Sequence, residues 1–404
     1  MTNLPTNFAE RRVHWPLLAA VAGLMVIGAL FVASATMARP GAEDMAWYRQ
    51  GWFRQLIWYG LGTGLAAVLM LRDYRHFARW AMVFYWGSIL LLGLVLIKGI
   101  GTTHGWGARR WIDLGPVQFQ PSELAKLSFI LAMAEFLSRP AAELRRPGVF
   151  WRGLGLALLP FALILKEPDL SSALVFLPVG LVMMFVAGVP VRYLGRLLGA
   201  VGLTGFILLA DIFWLPENLQ FINLQPYQKR RLMVYFGKSF VPPNATEAER
   251  IEALRAYRDA SYNADQALIS VGSGGFWGKG WRQGTQNSLG YLPRGVAHND
   301  FIFSVIAEES GFVGSLLVLG LYGALLFSGL HIAGQARDPL GRLIAVGIVT
   351  FFFTHVFINL GMNIRLMPVT GIPLPLLSYG GTSALVTLLA AGLLHNVYSH
   401  RNQH

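Results

Sequence analysis

The chain has 404 residues, a formal net charge of +12 and no cysteine. Hydrophobic residues make up 54% of it and charged residues only 13%, about half the charged fraction that is usual in soluble domains. This composition excludes a disordered chain, a disulfide-stabilised scaffold, a thiolate metal site and a cysteine nucleophile. It indicates an all-α polytopic membrane protein, in which the surplus of Lys and Arg is mostly a topology signal rather than a nucleic-acid-binding surface.

About ten segments are long and apolar enough to cross roughly 30 Å of hydrocarbon as helices. They are 15–36, 53–72, 79–99, 121–138, 149–165, 171–188, 193–214, 301–329, 340–362 and 380–398. Lys and Arg are more frequent in the loops and span ends on one side, which predicts that both termini are cytoplasmic. Residues 1–404 then form one membrane domain, with helices 1–7 in 15–214, a large extracytoplasmic loop in 215–299 and helices 8–10 in 300–398.

The predicted loop at 215–299 is too long to be a passive connector. Within it, 245–271 is predicted to be helical, because Thr246 and Glu249 have the spacing of a capping box. We interpret this helix as a solvated lid. The glycine-rich stretch 272–281 that follows is not a phosphate-binding Walker motif, since no Ser or Thr follows its lysine. It predicts a tightly turned loop at the membrane interface.

Ionisable side chains within or at the ends of membrane spans are costly, so each one is a candidate functional group. The candidates are Glu123, Lys126, Glu135, Asp211, Asp300, Glu308 and Glu309. Glu123 and Lys126 are three residues apart on one predicted helix and can pair. Pairing either lets the two charged side chains be buried in the membrane, or it shapes a polar cavity. For Glu135, Glu308 and Glu309 we expect a structural or cavity-lining role, and for Asp211 an interfacial position.

Polar and charged residues also converge at the predicted outer face. They are Arg109, Arg110, Lys166, Asp169, Asp300, Arg365 and Ser378. Arg and Lys side chains suit a phosphate or pyrophosphate group, and a carboxylate beside them suits general-base work on a hydroxyl. A lipid-linked pyrophosphoryl sugar presents both groups together with a membrane anchor. The alternative for Arg109 and Arg110 is that they only snorkel to lipid headgroups.

Several sequence blocks occur in a fixed order between the predicted spans. They are GARRWIDLG at 107–115, QPSELAK at 120–126, KEPDL at 166–170, GSGGFWGKG at 272–280, QGTQ at 283–286, HNDFIF at 298–303, AEE at 307–309, MPVTGIPLP at 367–375 and SYGGTS at 378–383. Together they resemble the SEDS family of bacterial cell-shape and division proteins over about residues 15–398. The stretch around 281–286 is more similar to the elongation branch of that family than to the division branch.

The resemblance implies a peptidoglycan glycosyltransferase that polymerises lipid II at the outer face of the cytoplasmic (inner) membrane during cell elongation. It implies a class B penicillin-binding protein and the elongation machinery as partners. Asp300 matches the family's essential outer-loop aspartate, here the expected general base, and Asp169 matches its hairpin aspartate. Glu123 and Lys126 match its charged pair. A divalent cation, Mg or Mn, is left open, and no organic cofactor is expected.

The sequence departs from the family pattern at two places near Asp300. Asn299 stands where the family usually has Thr, and residues 295–297 lack the acidic residue that usually precedes the histidine. The stretch near 244–260 also has the character of an insertion in the large loop. These departures leave open the conformation of the loop and its contacts with partners.

A lipid II flippase and a non-enzymatic scaffold are the alternative functions. A flippase needs a polar path that is open to both membrane faces, whereas the candidate residues converge on the outer face. A scaffold has no need of a carboxylate such as Asp300 or of pyrophosphate-suited cations. Both observations favour the glycosyltransferase.

Overall fold

The computed structural model describes residues 12–37, 45–97, 99, 101–102, 109–113, 115, 118–214, 233–237, 246–292 and 297–401. Its helices in chain order are α1 Trp15–Met37, α2 Gly51–Met70, α3 Tyr74–Ala78, α4 Ala81–Val95, α5 Pro121–Leu137, α6 Ala141–Leu144, α7 Pro147–Lys166, α8 Leu170–Leu174, α9 Phe176–Ala187, α10 Val191–Trp214, α11 Glu247–Ser273, α12 Thr285–Ser288, α13 Ile302–Gln335, α14 Pro339–Asn363 and α15 Gly381–His400. A short 3-10 helix, Trp47–Arg49, precedes α2.

Within the described residues, seven helical segments are long and apolar enough to cross a membrane. They are α1, α7, α8 together with α9, α10, α13, α14 and α15. The helices α2, α4 and α5 coincide with the other three predicted spans. The chain is therefore a helical multi-pass membrane protein, and the count of ten spans stays a prediction.

Burial distinguishes the central helices from the peripheral ones. In α14, 78% of the most apolar window is buried inside the protein, whereas in α10 the share is only 6%. Helix α14 packs against α5, α9 and α13, while α15 packs against α2 and α1 packs against α13. Helix α14 is thus the centre of the bundle, and α10 presents its apolar surface outward, as expected for contact with lipid.

Helix α13 is broken at Gly311, whose φ of 66° and ψ of −160° are not helical. The glycine-rich stretch after α11 packs into this break. Lys279 N and Gly280 N donate to the carbonyl oxygens of Glu308 and Glu309, at 3.0 and 2.9 Å. In the other direction, Phe312 N donates to Gly275 O at 2.9 Å. The backbone groups freed by the break are therefore paired with the glycine-rich loop.

The predicted helix in the large loop is confirmed as α11. Thr246 N donates to Glu249 Oε2 at 2.8 Å, and Glu249 N donates to Thr246 Oγ1 at 3.4 Å. Both halves of the predicted capping box are thus formed. Residues 215–232 and 238–245 of the predicted loop lie outside the described residues, as do 293–296, so the extent of the loop stays a prediction.

A small antiparallel sheet in the connection between α4 and α5 was not predicted. It consists of β1 Gly101–Thr102, β2 Trp111–Asp113 and β3 Gln118–Phe119, in the order β1–β2–β3. Gly101 faces Ile112, and Ile112 faces Phe119. Strands this short carry no readable alternation, so the sequence alone did not reveal them.

The ionisable residues of the spans differ in burial. Glu135 is exposed on α5, so it does not line a cavity of the bundle, and the structural role expected for it stays a prediction. Asp211 is 1% exposed and lies near the end of α10, and its position at the membrane interface stays a prediction. Glu308 and Glu309 are buried, as a structural role requires.

Candidate active site

A tight turn joins α7 to α8, and Asp169 caps the second helix. Helix α7 ends at Lys166 and α8 begins at Leu170. The Asp169 carboxylate accepts from Ser172 N at 3.1 Å and from Ser172 Oγ at 2.9 Å. Gln120 Nε2 approaches its Oδ2 at 3.5 Å. Asp169 is 4% exposed, so its orientation is fixed by these donors.

Arg110 reaches this turn from the residue before β2. Its Nε donates to Glu167 O at 3.3 Å, its Nη2 donates to Pro168 O, and its Nη1 lies 3.9 Å from Asp169 Oδ2. The unpredicted sheet therefore holds the guanidinium over the turn. Arg109 is half-buried beside Arg110, and Lys166 is exposed at the end of α7. Three predicted pyrophosphate ligands thus lie at or near one turn.

Asp300 precedes α13, and its backbone is clamped by two asparagines of α14. Asn359 Nδ2 and Asn363 Nδ2 donate to Asp300 O at 2.9 and 3.3 Å. Asp300 itself is half-buried. Its carboxylate lies against Gly371, where an added Cβ would be 3.2 Å from Asp300 Oδ2. The backbone of Asp300 is therefore held in place while its carboxylate is presented beside a residue without a side chain.

We call residues 364–380, between α14 and α15, the strap. The strap is not helical, and its second part, residues 372–378, is largely buried. Non-helical backbone in a membrane protein must find partners within the protein. Side chains from α2, α8, α13 and α14 supply donors to its carbonyl oxygens. The pairs are Ser171 Oγ to Thr370, Asn359 Nδ2 to Ile372, His355 Nδ1 to Pro373, Tyr322 OH to Pro375, Tyr59 OH to Leu376 and Gln55 Nε2 to Ser378.

Ser378 joins the strap to the segment that carries Asp300. Its Oγ donates to Asn299 O at 2.5 Å and accepts from Leu374 N at 2.7 Å. The next strap residue, Tyr379, donates its N–H to His298 O at 2.9 Å. In this conformation the Ser378 hydroxyl is engaged in structural bonds, so its predicted contact with substrate stays a prediction.

The strap also brings the two parts of the site together. Ser171 lies two residues after Asp169 and donates to Thr370 O. Thr370 directly precedes Gly371, where an added Cβ would lie 3.2 Å from Asp300 Oδ2. The Asp169 turn and the Asp300 carboxylate therefore adjoin the same short segment of the strap, although 131 residues separate them in sequence.

The predicted pair of Glu123 and Lys126 is confirmed. Lys126 Nζ lies 2.7 Å from Glu123 Oε1, and both side chains are 2% exposed. Lys126 Nζ also lies 3.2 Å from His355 Nε2 on α14. Among the described residues, the second Glu123 oxygen has no hydrogen-bond partner. The pair is buried in the bundle beneath the strap.

Arg365 makes a contact that the sequence analysis did not predict. Its Nη1 lies 2.6 Å from Asp265 Oδ1 on α11. Both side chains are about one-third exposed. The ion pair joins the first part of the strap to the loop helix, so in this conformation Arg365 has a carboxylate partner rather than an open guanidinium.

Glu308 and Glu309 hold the glycine-rich loop, which confirms their structural role. Glu308 is fully buried and accepts from Lys279 Nζ at 2.6 Å, Thr285 Oγ1 at 3.0 Å, Gln286 N at 3.0 Å and Ser270 Oγ at 3.2 Å. Glu309 accepts from Ser34 Oγ at 2.5 Å and from Arg282 N at 3.0 Å. These carboxylates fasten residues 270–286 to α13 and α1.

Glu167 has a different environment from Asp169, the other carboxylate of the turn. Both of its side-chain oxygens are buried without a hydrogen-bond partner among the described residues. Burial and the neighbouring Asp169 carboxylate raise the pKa of Glu167 to about 8, against an ordinary value of 4.5. Its carboxyl group is therefore neutral at pH 7, although Arg110 lies nearby.

The part of the chain that the structure describes contains no preformed cluster of metal ligands. No group of three or more His, Asp or Glu side chains there is arranged to share a metal ion. The two Asp169 oxygens are already occupied by Ser172 and Gln120.

Three polar residues of the site were missed because only charged groups were sought within the spans. They are His355, Asn359 and Asn363, which are four residues apart along α14. Residues spaced in this way share one face of a helix. A polar stripe on one of the most apolar spans was therefore the signal that could have revealed them.

Comparisons with known proteins agree with this architecture. The family model described as cell cycle protein, which covers FtsW, RodA and SpoVE, matches residues 15–403. The peptidoglycan glycosyltransferase MrdB of Escherichia coli K12 is 35% identical over 84% of both chains. The probable peptidoglycan glycosyltransferase FtsW of Geobacter metallireducens is 36% identical over 98% of this chain and 97% of its own.

A solved structure extends the similarity to the fold. It comes from a study of the structural coordination of polymerization and crosslinking by a peptidoglycan synthase complex. The matching chain is 33% identical, with a TM-score of 0.74, and the match covers 97% of this chain and 99% of that one. The family match spans every described helix, and the chain belongs to the FtsW, RodA and SpoVE family of cell cycle proteins.

Proposed function

We propose that this chain, a peptidoglycan glycosyltransferase, polymerises lipid II at the outer face of the inner membrane, with both termini in the cytoplasm. The observation that carries the proposal is the placement of Asp300. Its backbone is clamped by α14, and its carboxylate adjoins the same strap segment as the Arg110 turn. A fixed carboxylate close to a cationic turn suits transfer from a pyrophosphate-linked sugar.

In the proposed reaction, Asp300 acts as the general base. Its carboxylate accepts the proton of the acceptor sugar's 4-hydroxyl group as that oxygen attacks the anomeric carbon of the lipid-linked donor. The bond between the anomeric carbon and the pyrophosphate oxygen breaks, and undecaprenyl pyrophosphate leaves with the electron pair. A single displacement inverts the anomeric centre, which converts the α-linkage of lipid II to the β-linkage of the glycan strand.

The leaving pyrophosphate needs positive charge. Arg109, Arg110 and Lys166 lie at or beside the α7–α8 turn and are the proposed ligands. Asp169 orients Arg110 rather than contacting the anion, since its oxygens accept from Ser172 and Gln120. Arg365 joins the ligands only when its ion pair with Asp265 opens.

The proposed partner is a class B penicillin-binding protein within the elongation machinery. The support is that a similar chain belongs to a complex that coordinates polymerization and crosslinking. The chain is similar to FtsW as well as to MrdB, and the residues at 281–286 favour the elongation, RodA-type role. A lipid II flippase is not favoured, because the proposed site adjoins one end of the bundle.

The Asp300→Asn variant tests the proposal. Asparagine keeps the size and the backbone clamp but cannot take up the proton, so we expect lipid II polymerisation to fall by about 10²- to 10⁴-fold. The measurement is glycan length from purified lipid II, with the penicillin-binding protein present and absent. Asp259→Asn, at an exposed position on α11, is the matched control.

Two outcomes would contradict the proposal. Near-normal polymerisation by Asp300→Asn would show that another group is the base. If the wild-type chain moved labelled lipid II to the other leaflet and formed no glycan, the flippase would be favoured over the glycosyltransferase.

A further inference from the structure

His355 is a buried titratable side chain of α14 that the reaction above does not use. It is 1% exposed. Its Nδ1 lies 3.3 Å from Pro373 O in the strap, and its Nε2 lies 3.2 Å from Lys126 Nζ. A carbonyl oxygen can only accept a hydrogen bond and an ammonium group can only donate one. Nδ1 therefore carries the hydrogen and donates to Pro373, while Nε2 accepts from Lys126.

His355 extends a series of hydrogen bonds that begins on α5. Glu123 accepts from Lys126 at 2.7 Å, Lys126 donates to His355, and His355 donates to Pro373. Phe351, four residues before His355 on α14, packs against the imidazole with ring centroids 4.6 Å apart. This contact restricts the rotation of the ring, so the imidazole is held with one nitrogen toward each partner.

The strap residues just before Pro373 are linked to Asp300 through Asn359 and lie close to its carboxylate. Asn359 Nδ2 donates both to Ile372 O, at 2.7 Å, and to Asp300 O, at 2.9 Å. Gly371 lies directly against the Asp300 carboxylate. A displacement of the strap at Pro373 would therefore move two neighbouring residues. Ile372 shares the Asn359 donor with Asp300, and Gly371 lies beside the Asp300 carboxylate.

We propose that His355 is a positioning residue, which holds the Asp300 carboxylate in place by tying the buried Glu123–Lys126 pair to the strap at Pro373. This inference rests on the proposed function, because Asp300 is the base in that function. His355 acts only through its two hydrogen bonds. A side chain that donates to Pro373 and accepts from Lys126 at once should therefore replace it.

Three substitutions at His355 separate this role from simple packing. His355→Gln supplies one donor and one acceptor at the end of a long side chain, so it can make both bonds. His355→Leu fills a similar volume and makes neither. His355→Asn has both groups on a side chain one methylene shorter than glutamine, so it cannot bridge the two partners.

The measured quantities are kcat and KM for polymerisation of purified lipid II by the full chain with its penicillin-binding protein. A misplaced catalytic group costs about 10²-fold in rate, so we expect kcat to fall by that order in the Leu and Asn variants. The KM for lipid II should stay close to the wild-type value. The Gln variant should keep most of the wild-type kcat.

Amide hydrogen exchange of strap residues 374–380 provides a readout that needs no substrate. Exchange should be faster in the Leu and Asn variants than in the wild type, and unchanged in the Gln variant. Wild-type kcat in the Leu variant, equal kcat in the Gln and Asn variants, or unaltered exchange in all three would overturn the proposal. If the Leu variant does not fold, the comparison of the Gln variant with the Asn variant still tests the proposal.

The two proposals can fail separately. If the wild-type chain does not polymerise lipid II, the proposed function is wrong, whatever the His355 variants do. Hydrogen exchange would still report whether His355 holds the strap. If the wild-type chain is active and Asp300→Asn is not, equal activity of the three His355 variants counts against the positioning role alone.

Discussion

Glu167 shows how a single residue of the site can lower the stability of the fold. Its carboxyl group is buried without a hydrogen-bond partner among the described residues, and its pKa is raised to about 8. In the unfolded chain the same group ionises near pH 4.5. The folded state thus retains a proton that the unfolded state has lost at intermediate pH. The contribution of Glu167 is most favourable below pH 4.5 and is lost progressively as the pH rises to about 8.

We therefore predict that Glu167→Gln removes this pH dependence. Glutamine is always neutral, so the variant should match the wild type at pH 4 and become more stable by about 2–5 kcal/mol at pH 8. The measurement is unfolding in detergent between pH 4 and 9. Glu252→Gln, at an exposed position on α11, should follow the wild-type curve. Parallel curves for Glu167→Gln and the wild type would mean that Glu167 is ionised in the folded state.

Glu308 is the opposite case, because it is a buried carboxylate whose oxygens accept hydrogen bonds. It accepts four hydrogen bonds, one of them from the Lys279 ammonium. We predict that Glu308→Gln destabilises the protein by about 1–3 kcal/mol, because it removes the counter-charge of Lys279, whose side chain is 27% exposed. Thermal unfolding in detergent measures this loss. Glu247→Gln, at an exposed position in the first turn of α11, is the control, and an equal melting temperature for the two variants would contradict the prediction.

At the scale of elements, the loop that packs into the break of α13 contains glycines with a positive φ. Gly278 has a φ of +82°, and an added Cβ would lie 2.2 Å from Glu309 O. Gly275 has a φ of +59°, but nothing lies within 4 Å of its added Cβ. Both positions have a positive φ, which glycine adopts without strain and an L residue rarely adopts, and they differ in the space for a Cβ.

We predict that Gly275→Ala costs about 1 kcal/mol, the ordinary penalty of a left-handed conformation. Gly278→Ala should cost more, since the glycine-rich loop must move away from α13. Unfolding of both variants, together with amide exchange around Phe312, tests the difference. Equal stabilities would show that the loop does not need its close contact with the break.

The elements also differ in how well they could be predicted. Helix α11 was predicted to within about two residues of either end, because a capping box and helical spacing are local signals. The strap and the sheet of β1 to β3 were not predicted. Their backbone groups pair with side chains or strands that are distant in sequence, and no local pattern records such partners.

At the scale of the whole molecule, orientation in the membrane is the prediction to test. The chain has no cysteine, so a single introduced cysteine is a specific label. We predict that Trp277→Cys, at a position 77% exposed, reacts with a membrane-impermeant maleimide in intact spheroplasts. Arg337→Cys, between α13 and α14, should react only after permeabilisation. The reverse pattern would place the proposed site on the cytoplasmic side.

The sequence by itself determined the membrane class, the positions of the apolar helices, the pairing of Glu123 with Lys126 and the chemistry available to Asp300 and Arg110. Each of these follows from composition or from residues close together in the chain. Only the tertiary structure decided that Arg110 lies over the α7–α8 turn, that Arg365 pairs with Asp265, and that the strap joins His355 to the Asp300 segment. The physical reason is that buried polar groups must be paired, and in this fold their partners come from helices that meet only after the bundle has assembled.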